Sequence, residues 1–196
     1  GWSEFYDFKR EEELGELTSH AHVVLRDDIG IAGFEPPTAD WGYVELHRYN
    51  TCISGLKAAV KFRMTKEGEG DTIPVVTIYL SARDPSYPSG FKEADVALSF
   101  ARVSGAPYYQ LWVGHGGGEV YVPFTTGWYL LVVSVEEEVA RMYDEDKNEV
   151  ASLPLAYADV DEGRVYVWVV EYNTPLNDMV SDVETDWIGV LYRCVV

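Results

Sequence analysis

Positive charge is scarce in this chain: 15 Lys and Arg stand against 33 Asp and Glu, a formal net charge of −18 over 196 residues. Nucleic acids and anionic bilayer surfaces are held by basic footprints, so both are excluded as partners. Neutral sugars, cations and basic proteins are not. No apolar run approaches the ~20 residues that span a bilayer, so no membrane insertion is expected, and no signal-peptide pattern opens the chain. The first residue is Gly1 rather than Met, as in a mature form after signal removal or a chain carrying a leftover expression glycine. Asn and Gln total five, beside three Met and two Cys, and that thinness in thermolabile residues points towards a thermophile. Cysteine is too sparse for a metal framework. Cys52 and Cys194 are either two buried thiols or one bridge. A bridge would close a loop of about 140 residues and, in the loop-entropy model, restrain the unfolded chain by about 5 kcal/mol. It would imply an oxidising compartment, or the interior of a thermophile.

Apolar and aromatic residues are plentiful: 47% of the chain is hydrophobic, with fourteen Tyr and six Trp. The runs are short, β-branched and aromatic, and polar turns separate them every 8–15 residues. Eight residues from Trp128 to Val135 suit a strand better than a helix. Val139-Ala140-Arg141-Met142-Tyr143 alternates at period two. The acidic triplet Glu136, Glu137 and Glu138 between them reads as a solvated hairpin turn, and Asp144 to Asn148 as a second one. Twelve strands follow from this pattern: 22–25, 42–49, 55–64, 74–82, 94–103, 108–114, 119–122, 128–135, 139–143, 149–154, 164–172 and 186–195. One weak helical turn is expected near residues 9–17. The whole chain, 1–196, reads as a single all-β domain, a two-sheet antiparallel sandwich or a barrel. Trp128, Leu130, Val132, Val167 and Val169 are expected in its core.

The stretches "ISGLKAAVKFRM", "VVTIYLSAR", "ALSFARVSGAPYYQLWVG", "GWYLLVVSVEEEVARMYDEDKNEVAS" and "DVETDWIGVLY" resemble, in their order, the laminin-G-like and concanavalin-A-like jelly roll. Trp128 opens a central strand, Tyr143 lies in the next hairpin, and Asp186-Trp187-Ile188 forms the late returning strand. The resemblance covers residue 53 to the C-terminus and implies an antiparallel jelly roll. The family holds lectins, adhesion modules, glucanases and structural domains, so it speaks to fold before function. It also implies that the terminal strand lies near an early one, which would bring Cys194 towards Cys52 as a disulfide.

Glucanases of this fold carry acids as E-x-D-x-x-E or E-x-D-x-E on one strand, where alternate side chains share a groove. No such run is read within the expected strands, and Glu171 stands alone. The loop Gly114-His115-Gly116-Gly117-Gly118-Glu119 is similar to an esterase oxyanion loop but lacks a G-x-S-x-G partner, so it reads as a glycine hairpin. His20 and His22 share one side of a strand without a third ligand. Asp159, Asp161 and Glu162 before Gly163 partly resemble a calcium loop, and calcium recurs in the resembled family, so Ca is the one cofactor kept as a candidate. Aromatic faces with polar neighbours suit sugars. Tyr108, Gln110 and Trp112 form one such row, Tyr166, Trp168 and Tyr172 another, and Thr77, Tyr79, Ser81 and Arg83 a third. Sequence leaves open whether these rows face outwards or Trp112 and Trp168 belong to the core.

Three functions remain. The first is a non-catalytic extracellular or cell-surface structural or adhesive protein that self-assembles. It would use the aromatic residues Trp2, Phe5, Tyr6 and Phe8 of an N-terminal segment (residues 1–20) laid across a neighbouring subunit, giving a ring or filament. The second is a lectin-like, glycan-binding module; the third, a glycoside hydrolase.

Overall fold

The computed structural model describes residues 1–10, 12–16, 18–19, 23–26, 31–34, 41–52, 54–68, 72–83, 91–155, 162–172 and 183–194. The expected candidates His20, His22, Asp159 and Asp161 lie outside the described residues, as does the side chain of Glu162. The elements are β1 (Glu4–Tyr6), α1 (Glu12–Glu16), β2 (Thr18–Ser19), β3 (Val23–Arg26), β4 (Ile31–Phe34), β5 (Trp41–Cys52), β6 (Lys57–Met64), β7 (Thr72–Arg83) and β8 (Phe91–Val103). They continue with β9 (Ala106–Val113), β10 (Gly118–Pro123), β11 (Tyr129–Ser134), β12 (Val139–Tyr143), β13 (Glu149–Pro154), β14 (Glu162–Tyr172) and β15 (Val183–Leu191).

Two antiparallel sheets result. Sheet I runs β13-β12-β11-β6-β15-β4-β3, with β1 also paired to β15; sheet II runs β10-β9-β8-β7-β14-β5-β2. Side chains alternate along each strand, so one parity meets the other sheet. Phe62 of β6, Tyr109 of β9 and Tyr129 of β11 form the centre of the core, with Phe62 and Tyr129 stacked at 6.3 Å and Tyr109 edge-on to Phe62 at 6.1 Å. Each ring or branched chain fully buried there contributes about 1.5–3 kcal/mol of transfer free energy.

Turn chemistry follows the sequence. The turn after Val135 places Glu138 at φ 57°, and the 114–118 hairpin uses positive φ at His115, Gly116 and Gly118. Asp144 closes the second acidic turn by accepting hydrogen bonds from the Asp146 and Asn148 amides, both at 2.9 Å. The helical turn is present as α1. The disulfide forms between Cys52, at the end of β5 in sheet II, and Cys194, after β15 of sheet I, with Cα atoms 5.2 Å apart. It therefore staples one sheet to the other.

Two expectations change. Val167 and Val169 are buried, but β11 has the opposite parity: Tyr129, Leu131 and Val133 point inwards, and Trp128, Leu130 and Val132 are half-exposed. The strand is apolar on both faces, so alternation carried no signal there. The N-terminal segment, expected across a neighbouring subunit, instead pairs within its own chain: Glu4 lies opposite Val190, Phe5 opposite Gly189 and Tyr6 opposite Ile188. Tyr6 and Phe8 are buried, whereas Phe5 remains 46% exposed. Glu4 fastens the strand by accepting hydrogen bonds from Arg48 (2.7 Å), Tyr6 (2.8 Å) and Tyr192. Burial alone would raise the Glu4 carboxyl; the donors Tyr192, Arg48 and Tyr6 outweigh it and hold its pKa below the ordinary value. The Tyr6 phenol is pushed up to about 12 by burial and by its bond to Glu4.

Candidate functional site

Sheet II buries its odd-numbered residues on β9 and β14 (Tyr109, Leu111, Val113; Val165, Val167, Val169) and its even-numbered ones on β7 (Ile78, Leu80). Its outer face therefore carries Tyr108, Gln110, Trp112, Tyr166, Trp168, Thr77 and Tyr79, the residues expected as sugar rows. The backbone of Tyr172 and Arg83 continues the same strands. Trp112 and Trp168 are not core residues; Trp112 is 41% exposed.

Register decides how these residues meet. Trp168 pairs with Thr77, Thr77 with Ala97, and Ala97 with Trp112. Adjacent strands lie about 4.8 Å apart, so the two tryptophans stand about 14 Å apart across a floor of two small side chains. Glu45 flanks the row beyond Trp168 and Glu119 beyond Trp112. Gln110 donates to Glu119 at 2.6 Å, and Tyr121, beside Gln110, packs edge-on against Tyr108 at 6.0 Å. Tyr166 packs edge-on to Trp168 at 5.9 Å and to His47 at 4.7 Å.

The next rows hold a charged cluster that the sequence reading missed. β8 begins at Phe91 rather than at residue 94, which puts Glu93 in the strand. Glu93-Ala94-Asp95 is then an E-x-D pair on one face, where no paired carboxylates were expected. The position that would complete the glucanase pattern is Ala97 or Leu98. Tyr79 donates to Glu93 Oε1 at 2.7 Å. His115, from the glycine hairpin, reaches both acids, with Nε2 3.2 Å from Glu93 Oε2 and 3.5 Å from Asp95 Oδ1. Burial raises the Asp95 carboxyl above its ordinary pKa, with His115 opposing and Glu93 reinforcing the shift. Tyr79 is also raised, by burial and then by its bond to Glu93. Gly114 makes the arrangement possible. A Cβ there would lie 2.0 Å from Asp95 Oδ1, so only a glycine lets the carboxyl rest on the β9 end. An E-x-D reading shifted one residue earlier, with His115 weighed as a donor, was the available signal.

The face thus offers stacking rings, an acidic rim and a half-buried acid pair bridged by one imidazole. Among the described residues no group of three or more His, Cys, Asp or Glu is arranged to hold a metal ion.

Fold and face together define a jelly-roll β-sandwich of the concanavalin-A-like type. Solved structures of that type match the chain throughout its length. Lotus tetragonolobus seed lectin is 10% identical with a TM-score of 0.62, covering 98% of this chain and 99% of that one. Winged bean acidic lectin, complexed with methyl-α-D-galactose, is 11% identical at 0.60, covering 97% and 99%. Bacillus licheniformis β-glucanase is 11% identical at 0.54, covering 98% and 99%. At such identity the likeness shows the fold alone. No protein-family model matches the chain, and no curated protein matches it by sequence.

Proposed function

We propose that this protein is a lectin-like module that binds neutral glycans on the outer face of sheet II. The observation that carries the reading is the row Trp168–Thr77–Ala97–Trp112, two indoles facing a low floor with carboxylates at either end. Rings of this kind stack on the C–H faces of sugars while carboxylates orient the hydroxyls. The fold supports it, since two of the similar structures are lectins. The disulfide supports an extracellular or lumenal location. Self-assembly is the weaker reading, because the strand that was to carry it pairs within the chain. A glycan array tests the proposal. At least one class of hit should fall at least tenfold in affinity in Trp112→Ala or Trp168→Ala, with the thermal transition nearly unchanged. A protein that gives no hits, or hits unaffected by both changes, does not work this way.

Hydrolysis is the second reading, favoured by Glu93 and Asp95 on one strand. Glycosidases need room for the scissile bond or a water between two carboxyls. Here the His115 imidazole contacts both carboxyls, and Ala97 or Leu98 stands where the third acid would be, so binding without cleavage is favoured. Release of reducing ends from a soluble β-glucan, abolished by Glu93→Gln, would reverse the order of the two readings.

A further inference from the structure

We propose a second neutral-sugar site on the opposite side of the sandwich, in a trough on the outer face of sheet I. Tyr143, Leu130, Lys61 and Trp187 are neighbours in one cross-strand row. A trough of about 420 Å³ opens over that row, walled by Trp128 and Trp187 and rimmed by Asp144, Glu145 and Lys147. A second lobe of about 380 Å³ continues past Trp128 towards Thr125, Thr126 and Asp146. Both lie in the size range of small-molecule sites.

The walls are held in place before any ligand arrives. Trp187 is packed by Trp2 at 5.7 Å and Phe5 at 5.6 Å, so the N-terminal strand braces it. Trp2 itself rests on Gly189, where a Cβ would meet its ring at 2.7 Å. Trp128 carries the Arg63 guanidinium 4.4 Å from its ring centre, and Arg63 is fixed in turn by Glu184 at 2.8 Å. The loop before Trp128 lies against Glu145, 3.1 Å from the Cβ position of Gly127. Rings fixed in advance lose little freedom on binding.

Charge selects the ligand class. The net charge of the chain is −18, yet the trough sets Lys61 and Lys147 against Asp144 and Glu145. Lys61 lies 5.5 Å from the Trp128 ring centre and 3.0 Å from Asp186. A cation would meet Lys61 where the ring is most attractive, and an anion would meet the two carboxylates. A wholly apolar molecule would strip water from four charges without replacing its hydrogen bonds. A neutral polyhydroxyl satisfies all of them: carboxylates accept from hydroxyls, ammoniums donate, and indoles stack on C–H faces. One or two pyranose units of a neutral glycan fit the volume. The site stands independently of the one on sheet II.

The test follows the indole N–H signals of the full chain by NMR during titration with methyl-α-D-galactoside, mannotriose, laminarihexaose and cellohexaose. At least one sugar should shift Trp128 and Trp187. Its affinity, read from those two signals, should fall at least tenfold in Trp187→Ala and several-fold in Glu145→Gln. If Trp187→Ala does not fold, Glu145→Gln decides alone. The proposal is overturned if no sugar moves Trp128 or Trp187, if the shifts survive both variants, or if only Trp112 and Trp168 respond. Sedimentation that reports a dimer lost in Trp187→Ala, with no sugar response, would assign the trough to self-contact and overturn it as well.

Discussion

On sheet II two tryptophans stand across a floor of Thr77 and Ala97, and the acids beside them come from a strand. On sheet I two tryptophans stand over Leu130 and Lys61, and the acids come from a turn. Strand placement ties Glu93 and Asp95 to a single imidazole, so their geometry is set by register. Turn placement leaves Asp144 and Glu145 at the rim, set against Lys61 and Lys147. The comparison shows one sandwich presenting aromatic residues outward on both sides, stiffened by different means. Sheet II uses cross-strand neighbours, whereas sheet I depends on an N-terminal strand folded back against its last strand.

The largest expected effect comes from separating the two sheets. Replacing Cys52 and Cys194 by Ser should lower stability by up to about 5 kcal/mol in the loop-entropy model. Guanidinium unfolding measures it, and a change under 1 kcal/mol would mean that the staple restrains little. Next is the parity of β11. Leu131→Ala should cost about 2–5 kcal/mol, as for a fully buried leucine, and Leu130→Ala much less. Equal losses would contradict the assignment of faces. Gly114→Ala should cost about 1–3 kcal/mol by forcing the Asp95 carboxyl aside, with no comparable loss from Gly105→Ala beyond its positive-φ strain. If Gly114→Ala is silent, the acid cluster is looser than described.

The smallest effects are on pH dependence, and they have opposite signs for the two acids. The folded pKa of Glu4 is depressed, so its stabilisation is present above the ordinary glutamate value and lost as pH falls through the folded one. The Asp95 value is raised, so its contribution favours folding below the ordinary aspartate value and is lost as pH rises through the folded one. Between pH 3 and 5, Glu4→Gln should flatten the rise of stability with pH and Asp95→Asn should steepen it. Chemical unfolding across that window reads both slopes, and parallel slopes would show that one assignment is wrong.

Much of the fold could be read from period-two patterning and turn residues, down to the hairpins at Glu138 and Gly116. The pairs Tyr108/Trp112 and Tyr166/Trp168 could be read as sharing a face, but not which face. Their strands alternate aromatic with aliphatic residues, and both kinds are at home in a core. β11 failed for the same reason, being apolar on each side. The acid cluster failed through a boundary: starting β8 three residues late removed Glu93 from its strand, and with it the pair.

The sequence by itself determined the class of the molecule. Its charge of −18 gives no basic footprint for nucleic acid, and its short β-branched runs and scattered turns define an all-β sandwich or barrel. Tertiary structure alone decided which parity is inside, that His115 bridges two acids from another strand, and that Trp2 and Phe5 brace Trp187. Those contacts join residues as many as 185 positions apart. They depend on register between distant strands, and local pattern does not encode register where both faces of a strand are equally apolar.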